Sequence, residues 1–366
     1  MKSRIFLSGC LWMGIAMVGI SGCLTEITLD VPPGEERKLV IRGALLDGDT
    51  SRISVEITYL ADFVKFDIPE KVNDAIVVLS DVENHMVTLP AKGEGLYELT
   101  IPDGDYPIVV RTGGAYQLSV QLSDGRNYIS RVEQLYPVPV PDSVTYTVAS
   151  RDVINEAGNI EAQEFLRFVI NTPLTQPGYS GRPYLKWSFL GTYQFTESAV
   201  DVPLPPPVKV CYIFEDVNLE NVVTYNGEEN SQDELSGFFL LEEPYDYRFS
   251  EGFYLTLYQE SLSPGAYEYW ERIAQVLALS GTFFDAPPGK VRGNFTNIDD
   301  PSEEVFGYFY ATQRAMMRLY IPPDTRRFSR FCPALIQTEE EDALPTCFNC
   351  LLRAGSTLEK PDFWDP

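Results

Sequence analysis

Hydrophobic and polar positions alternate with a period of two through much of the chain. In the first third, Leu39-Val40-Ile41, Ile53-Ser54-Val55-Glu56-Ile57, Tyr97-Glu98-Leu99-Thr100-Ile101 and Ala115-Tyr116-Gln117-Leu118-Ser119-Val120 read as strands, and Ala75 to Leu79 is a fully apolar run. Asp47-Gly48-Asp49, Pro102-Asp103-Gly104-Asp105 and Asp124-Gly125-Arg126 are the turn signals between them. Short strands at this spacing, with no helical period, predict an antiparallel β-sandwich of immunoglobulin-like size over residues 38–136. The alternating prolines Pro137, Pro139 and Pro141 cannot donate ladder hydrogen bonds, so 137–142 reads as a stiff extended linker.

A second, larger β-rich domain is expected over 143–331. Its strands are predicted at Phe165–Ile170, Leu185–Phe189, Val208–Ile213, Phe253–Tyr258, Val305–Tyr310 and Met317–Ile321, with Pro203 to Pro207 as a break. One helix interrupts the pattern near 264–280. Ser263 suits an N-cap, Pro264 the first helical position and Gly281 the C-terminal cap. Tyr269, Trp270, Ile273, Val276 and Leu277 recur at helical spacing, which predicts one face packed on the sheet. Residues 332–366 form a Cys-containing tail. The fold class is therefore mainly β, an N-terminal sandwich followed by a β-rich domain carrying one packed α-helix.

The N-terminus breaks the alternation. Lys2 and Arg4 precede an apolar stretch from Ile5 to Ile20, which reads as a secretory signal over 1–22 and is too short for a membrane span. Ile20-Ser21-Gly22-Cys23 resembles the bacterial lipobox, in which the cysteine thiol receives a diacylglyceryl group after cleavage. Two or three acyl chains hold a protein on a bilayer where one does not. Cys23 is thus the expected lipidation site, and 23–37, with Pro32, Pro33 and Gly34, the tether to the first strand.

Composition narrows the function classes. With 28 Lys plus Arg against 53 Asp plus Glu, the formal charge is −25, which repels phosphates and argues against nucleic-acid binding. His85 is the only histidine, so any Ser-His-Asp or Cys-His site would have to be built around it. It stands beside Asn84 in an expected turn and reads as a surface residue. Once Cys10 leaves with the signal and Cys23 takes lipid, Cys211, Cys332, Cys347 and Cys350 remain. In an oxidising envelope they predict two disulfides with three possible connectivities. Cys347-Phe348-Asn349-Cys350 lacks the strand and helix that a redox C-x-x-C requires, and a zinc site is a weaker alternative. The Asp-Gly turns and Asp299-Asp300 complete no calcium loop. No cofactor or metal is expected.

Gly293-Asn294 after Pro287-Pro288, then Val305-Phe306-Gly307-Tyr308-Phe309, the C-x-x-C at 347–350 and Lys360-Pro361-Asp362-Phe363-Trp364 together resemble an uncharacterised Bacteroidota outer-membrane lipoprotein family, the domain of unknown function 4249. Glu26 and the run Leu39-Val40-Ile41 followed by Gly43 add to the likeness. Asn349 and Gly355-Ser356-Thr357-Leu358 depart from the family's tail pattern. The resemblance implies a surface or outer-membrane lipoprotein of unknown biochemical activity, without known catalytic residues and often encoded beside a TonB-dependent receptor. The expected function is accordingly a non-enzymatic accessory or substrate-binding partner of such a receptor in nutrient uptake, lipid-anchored through Cys23 to the outer membrane. A structural or adhesive surface role is one alternative. A carboxylate-based glycosidase is another, because that chemistry needs no histidine. Tyr179, Tyr184, Trp187 and Tyr193 are candidates for either sandwich core or an aromatic platform. Phe363 and Trp364 read as an apolar plug that docks the tail.

Overall fold

A computed structural model describes residues 38–48, 50–60, 68–102, 104–155, 157–217, 221–229, 231–278, 291–337 and 344–364. The signal, Cys23, the tether, Asp49, Asp103, Gly281 and Pro287-Pro288 lie outside them. The first part of the chain forms β1 (Leu39–Asp47), β2 (Ser51–Tyr59), β3 (Ile76–Asp81), β4 (Met86–Leu89), β5 (Ala91–Gly93), β6 (Leu96–Ile101), β7 (Ala115–Gln121), β8 (Asn127–Ser130) and β9 (Glu133–Gln134). Then come β10 (Ser143–Ile154), β11 (Ile160–Pro173), β12 (Tyr184–Thr196), β13 (Ala199–Val200), β14 (Val210–Asp216), β15 (Val223–Asn226), β16 (Glu234–Pro244) and β17 (Phe253–Leu262). Helix α1 (Pro264–Ala278), β18 (Phe295–Asn297), β19 (Phe309–Ile321), β20 (Leu335–Ile336), the single-turn helix α2 (Pro345–Phe348) and β21 (Ser356–Thr357) complete the order.

The protein is mainly β, as its alternation predicts. Its backbone is one long sheet in the order β21-β14-β12-β17-β19-β1-β2-β6-β5, with β15 added on β12. A six-stranded sheet, β18-β8-β7-β3-β4 with β9 on β7, makes the sandwich with β1, β2 and β6, and a three-stranded sheet, β10-β11-β16, serves the other half. Leu39, Ile41 and Leu45 of β1, Ile53 and Val55 of β2, Val77 and Leu79 of β3 and Leu118 of β7 fill the first core. Leu166, Phe168 and Ile170 of β11, Trp187 and Phe189 of β12, and Leu255 and Leu257 of β17 fill the second.

Strand β19 shows how one sheet serves both. Its odd positions Phe309 and Ala311 enter the first core, and Ala315 and Ile321 enter the second. Its even positions point to the reverse face, where Tyr310 meets α1 and Tyr320 meets Tyr254 and the tail. The period of two thus assigns β19 two layers at once.

The segments expected as two domains are therefore joined by hydrogen bonds as well as by the chain. β1 pairs in parallel with β19, from Gly43 opposite Phe309 to Asp47 opposite Gln313, and β18 pairs with β8. The segment 137–142 is docked along this join: Val138 N donates to Gln313 Oε1 (3.0 Å), and the Pro139 carbonyl accepts from Gln259 Nε2 (2.7 Å). The strand expected from Val305 begins at Phe309, because Gly307 takes a positive φ of 86° and turns the chain before it.

Helix α1 starts as the sequence predicts, with Ser263 Oγ accepting from Ala266 N at 3.0 Å. Its packing is narrower than the apolar stripe implies. Ala266 is buried, Tyr269 and Trp270 pack on Leu262, Tyr308 and Tyr310, and Leu277 is 46% exposed.

Candidate functional site

Part of the resemblance, Leu39–Ile41, Gly43, Gly293-Asn294 and Val305–Phe309, meets at the join. Phe306 N donates to Leu39 O, Ile41 N to Phe306 O and Gly43 N to Tyr308 O, at 2.8, 2.8 and 2.9 Å. No side chain fits there. A Cβ on Gly307 would stand 2.1 Å from Ile41 O, and one on Gly293 2.0 Å from Gly307 O. The motif glycines are thus required by close backbone approach.

Beside them lies a buried carboxylate that sequence reasoning missed. Glu133, 4% exposed, accepts from Tyr308 Oη (2.7 Å), Asn294 Nδ2 (3.3 Å) and Ser263 Oγ. Asn294 also exchanges both amide bonds with the Phe309 backbone. One carboxylate thus links β9, β18, β19 and the N-terminus of α1. Burial pushes its pKa above the usual carboxylate range, and these neutral donors oppose only part of that rise. The available signal was the polar pair Asn294 and Tyr308 inside an otherwise apolar and glycine motif.

A second buried cluster lies under α1 on the reverse face. Lys186 Nζ sits 2.6 Å from Glu260 Oε2, and Arg314 Nε donates to Glu260 Oε1 at 3.0 Å. The ammonium lies 4.8 Å from the Trp270 ring centre. Burial alone would press the Lys186 ammonium down, but Glu260 holds it above its ordinary value. Burial alone would likewise raise Glu260, but Lys186 and Arg314 hold it below. The sequence did signal this pair, since a lysine between Leu185 and Trp187, in a strand apolar on both faces, must find a buried acid.

The four cysteines form Cys211–Cys350 and Cys332–Cys347. This resolves the three open connectivities and uses every thiol that a redox or zinc site would need. Around them the tail clasps edge strand β14. Glu197 Oε1 accepts from Cys350 N (2.9 Å), and β21 pairs with β14. Arg353 places its guanidinium 5.1 to 5.7 Å from the rings of Tyr193, Phe195, Tyr247 and Phe331. Trp364 packs on Tyr212 and Tyr254, and Phe363 on Tyr254 under Arg318, as expected of a docking plug.

The four candidate aromatics are not brought together. Trp187 and Tyr193 are core residues, tilted against Phe238 and stacked on Phe253 respectively, whereas Tyr179 meets Tyr136 and Tyr184 meets Tyr267. His85 is exposed, with Nδ1 2.9 Å from Asp81 Oδ2. Among the described residues, no group of three or more His, Cys, Asp or Glu is arranged to hold a metal ion.

Two open grooves lie among the described residues, one of about 620 Å³ between Phe214, Arg318 and the tail residues 359–363, the other beside α1. The second has a volume of about 490 Å³ and is lined by Phe238, Phe239 and Leu240 together with Arg151, Glu242 and Glu271. Glu242 is held by Arg167 (3.1 Å) and Arg151 (3.6 Å), and Glu271 accepts from Thr224 Oγ1 (2.8 Å). Both carboxylates thus have partners within the protein.

Among curated proteins, none matches the sequence. The family model described as a domain of unknown function (DUF4249) matches residues 24–318, which takes in the glycine motifs and both strands of the join and stops short of the disulfide-bonded tail. The chain belongs to the DUF4249 family.

Proposed function

We propose that the protein is a non-enzymatic lipoprotein of the outer-membrane surface that binds a substrate and hands it to a TonB-dependent receptor. The observation that carries this reading is the groove beside α1. Its volume of about 490 Å³ falls in the range of small-molecule sites, Phe238, Phe239 and Leu240 offer apolar surface, and the lining pair Arg151 and Glu242 stands 3.6 Å apart, while Glu271 keeps its charge. The lipobox-like tetrad ending at Cys23 adds the address, and β1 is the first described strand after it, starting at Leu39. That strand is hydrogen-bonded along both edges, to β2 and to β19, so a pull from the bilayer is resisted by two ladders in shear.

Two measurements test the reading. Mass spectrometry of the membrane-extracted protein should find a diacylglyceryl-modified Cys23 at the mature N-terminus. Gentle detergent extraction should recover a TonB-dependent receptor with it. An unmodified Cys23, or a lipoprotein that always emerges without a receptor, overturns the proposal.

A further inference from the structure

We infer that the groove beside α1 accepts an extended peptide, which adds a strand to the open edge of β16. The inference rests on the substrate-binding reading proposed above and names the substrate class of that same site.

The lining of the groove is largely strand backbone. It takes in five consecutive residues of β16, 238–242, and residues 221–224, which run into β15. β15 belongs to the long sheet through β12, and β16 to the three-stranded sheet through β11. The groove therefore lies where an edge of one sheet meets an edge of the other. β16 has β11 on one side. Among the described residues no strand pairs with its other side, and no backbone hydrogen bond outside the β11 ladder reaches 238–242. About half of a strand's N–H and C=O groups point to each side, so this edge presents a row of donors and acceptors at ladder spacing.

Register with β11 shows which way the β16 side chains face. Phe238 stands opposite Ile170 and Leu241 opposite Phe168, both core residues, and Phe238 packs on Trp187 and Tyr225. Phe239 stands opposite Val169 and Glu242 opposite Arg167, on the outer face. The extra residue between them, Leu240, is a bulge that resets the alternation. A strand added here would meet Phe238, Leu241 and Val223 with one set of side chains and Phe239, Arg151 and Glu242 with the other. It should carry apolar residues at every second position, with polar ones tolerated between them, over about five residues or roughly 17 Å.

The chemistry left open in the groove selects a peptide over other ligands. Its charged side chains are already engaged: Glu242 by Arg151 and Arg167, and Glu271 by Thr224 and Gln275. Sugar hydroxyls need free polar side chains and an open ring face, yet the Phe239 ring carries the Arg167 guanidinium at 4.4 Å. An acyl chain would lie against three charged residues. What remains unpaired is main chain, and an extended peptide matches it in register.

The test uses the full mature chain in detergent and a synthetic probe, acetyl-Lys-Val-Thr-Val-Thr-Val-Lys-amide. Calorimetric titration should show saturable binding, and the probe should slow hydrogen exchange within 238–242. An analogue N-methylated at the five central amides keeps every side chain but loses its ladder donors, and should bind at least about tenfold more weakly. Val222→Glu and, separately, Phe239→Ser alter partly exposed lining residues and should weaken the probe by a similar factor, with melting curves showing that both variants fold. Mass analysis of what the wild type releases on denaturation is the second readout, and peptides missing from Val222→Glu support the inference whether or not this probe binds. Equal affinity for the probe and its N-methylated analogue overturns strand addition. Release of a non-peptide molecule that Val222→Glu lacks, with no probe binding, overturns the peptide class and leaves the substrate-binding reading standing. If nothing is released and no probe binds, that reading falls and takes the inference with it. Two further outcomes overturn it by giving the edge another occupant. One is protection of 238–242 in chain shown to carry no peptide, which assigns the edge to a segment of this chain. The other is self-association in sedimentation that Phe239→Ser abolishes, which assigns it to a second copy.

Discussion

Glu133 and Glu260 are buried carboxylates with opposite electrostatic settings, and the difference fixes what each does for stability. Glu133 has hydroxyl and amide donors and a pKa raised by burial. A raised carboxylate is most favourable while protonated, so its contribution declines as pH rises from about 4.3, the unfolded value, through the folded value. Glu133→Gln removes that titration. Relative to wild type, the variant should therefore gain urea resistance between pH 4 and pH 7, and a constant gap across that window would show that Glu133 does not titrate with folding. Glu260 is the reverse case. Held below the usual range by Lys186 and Arg314, it supports the fold above that range and loses this support as pH falls through its folded value. Lys186→Met leaves Arg314 as the sole counter-charge. The expected loss is about 3 kcal/mol, the lower end for breaking a buried pair, read from the denaturant midpoint. A loss under about 1 kcal/mol would mean that Arg314 alone suffices.

The elements differ in how far the sequence revealed them. Strands β2, β6 and β7 were legible because each shows one face to the core and one to water, and helix α1 because Ser263 and Pro264 announce its start. The stripe on α1 over-read its burial, since hydropathy records that Leu277 is apolar but not that the sheet surface ends before reaching it. The tail was legible in content and not in connection. Cysteines carry no mark of their partners, and the Arg353 cage draws its rings from three separate places, β12, Tyr247 and Phe331. Its covalent part permits a ranking. Cys211–Cys350 spans 139 residues and Cys332–Cys347 only 15. In the chain-entropy account, removing the first should cost about 4 to 5 kcal/mol and the second about 3 kcal/mol. Thermal melts of the two double-serine variants check the order, and a reversed order would mean that native packing around Cys332 outweighs loop closure.

At the scale of the whole molecule, alternation gives each strand its faces but says nothing about a partner more than two hundred residues away. The proline run at 137–142 looked like a boundary. It does not separate the two cores: the first draws Phe295, Val305, Phe309 and Ala311 from beyond it, and β1 pairs with β19 across a separation of 266 residues, as between Gly43 and Phe309. Only the motif glycines hinted at this pairing, and their meaning depends on a neighbour that the sequence does not name. The join therefore makes a sharp prediction. Gly307→Ala places a Cβ 2.1 Å from Ile41 O, on a residue whose φ is 86°. Strain and collision together should cost more than about 2 kcal/mol. That cost falls on the β1–β19 ladder, while each core keeps its own apolar contacts. If the join is what couples the halves, wild type should unfold in one calorimetric transition and Gly307→Ala in two, with hydrogen exchange accelerated first at Ile41 and Gly43. A single transition merely shifted to lower temperature would instead show that the docked 137–142 segment and the β18–β8 pair suffice to hold the halves together.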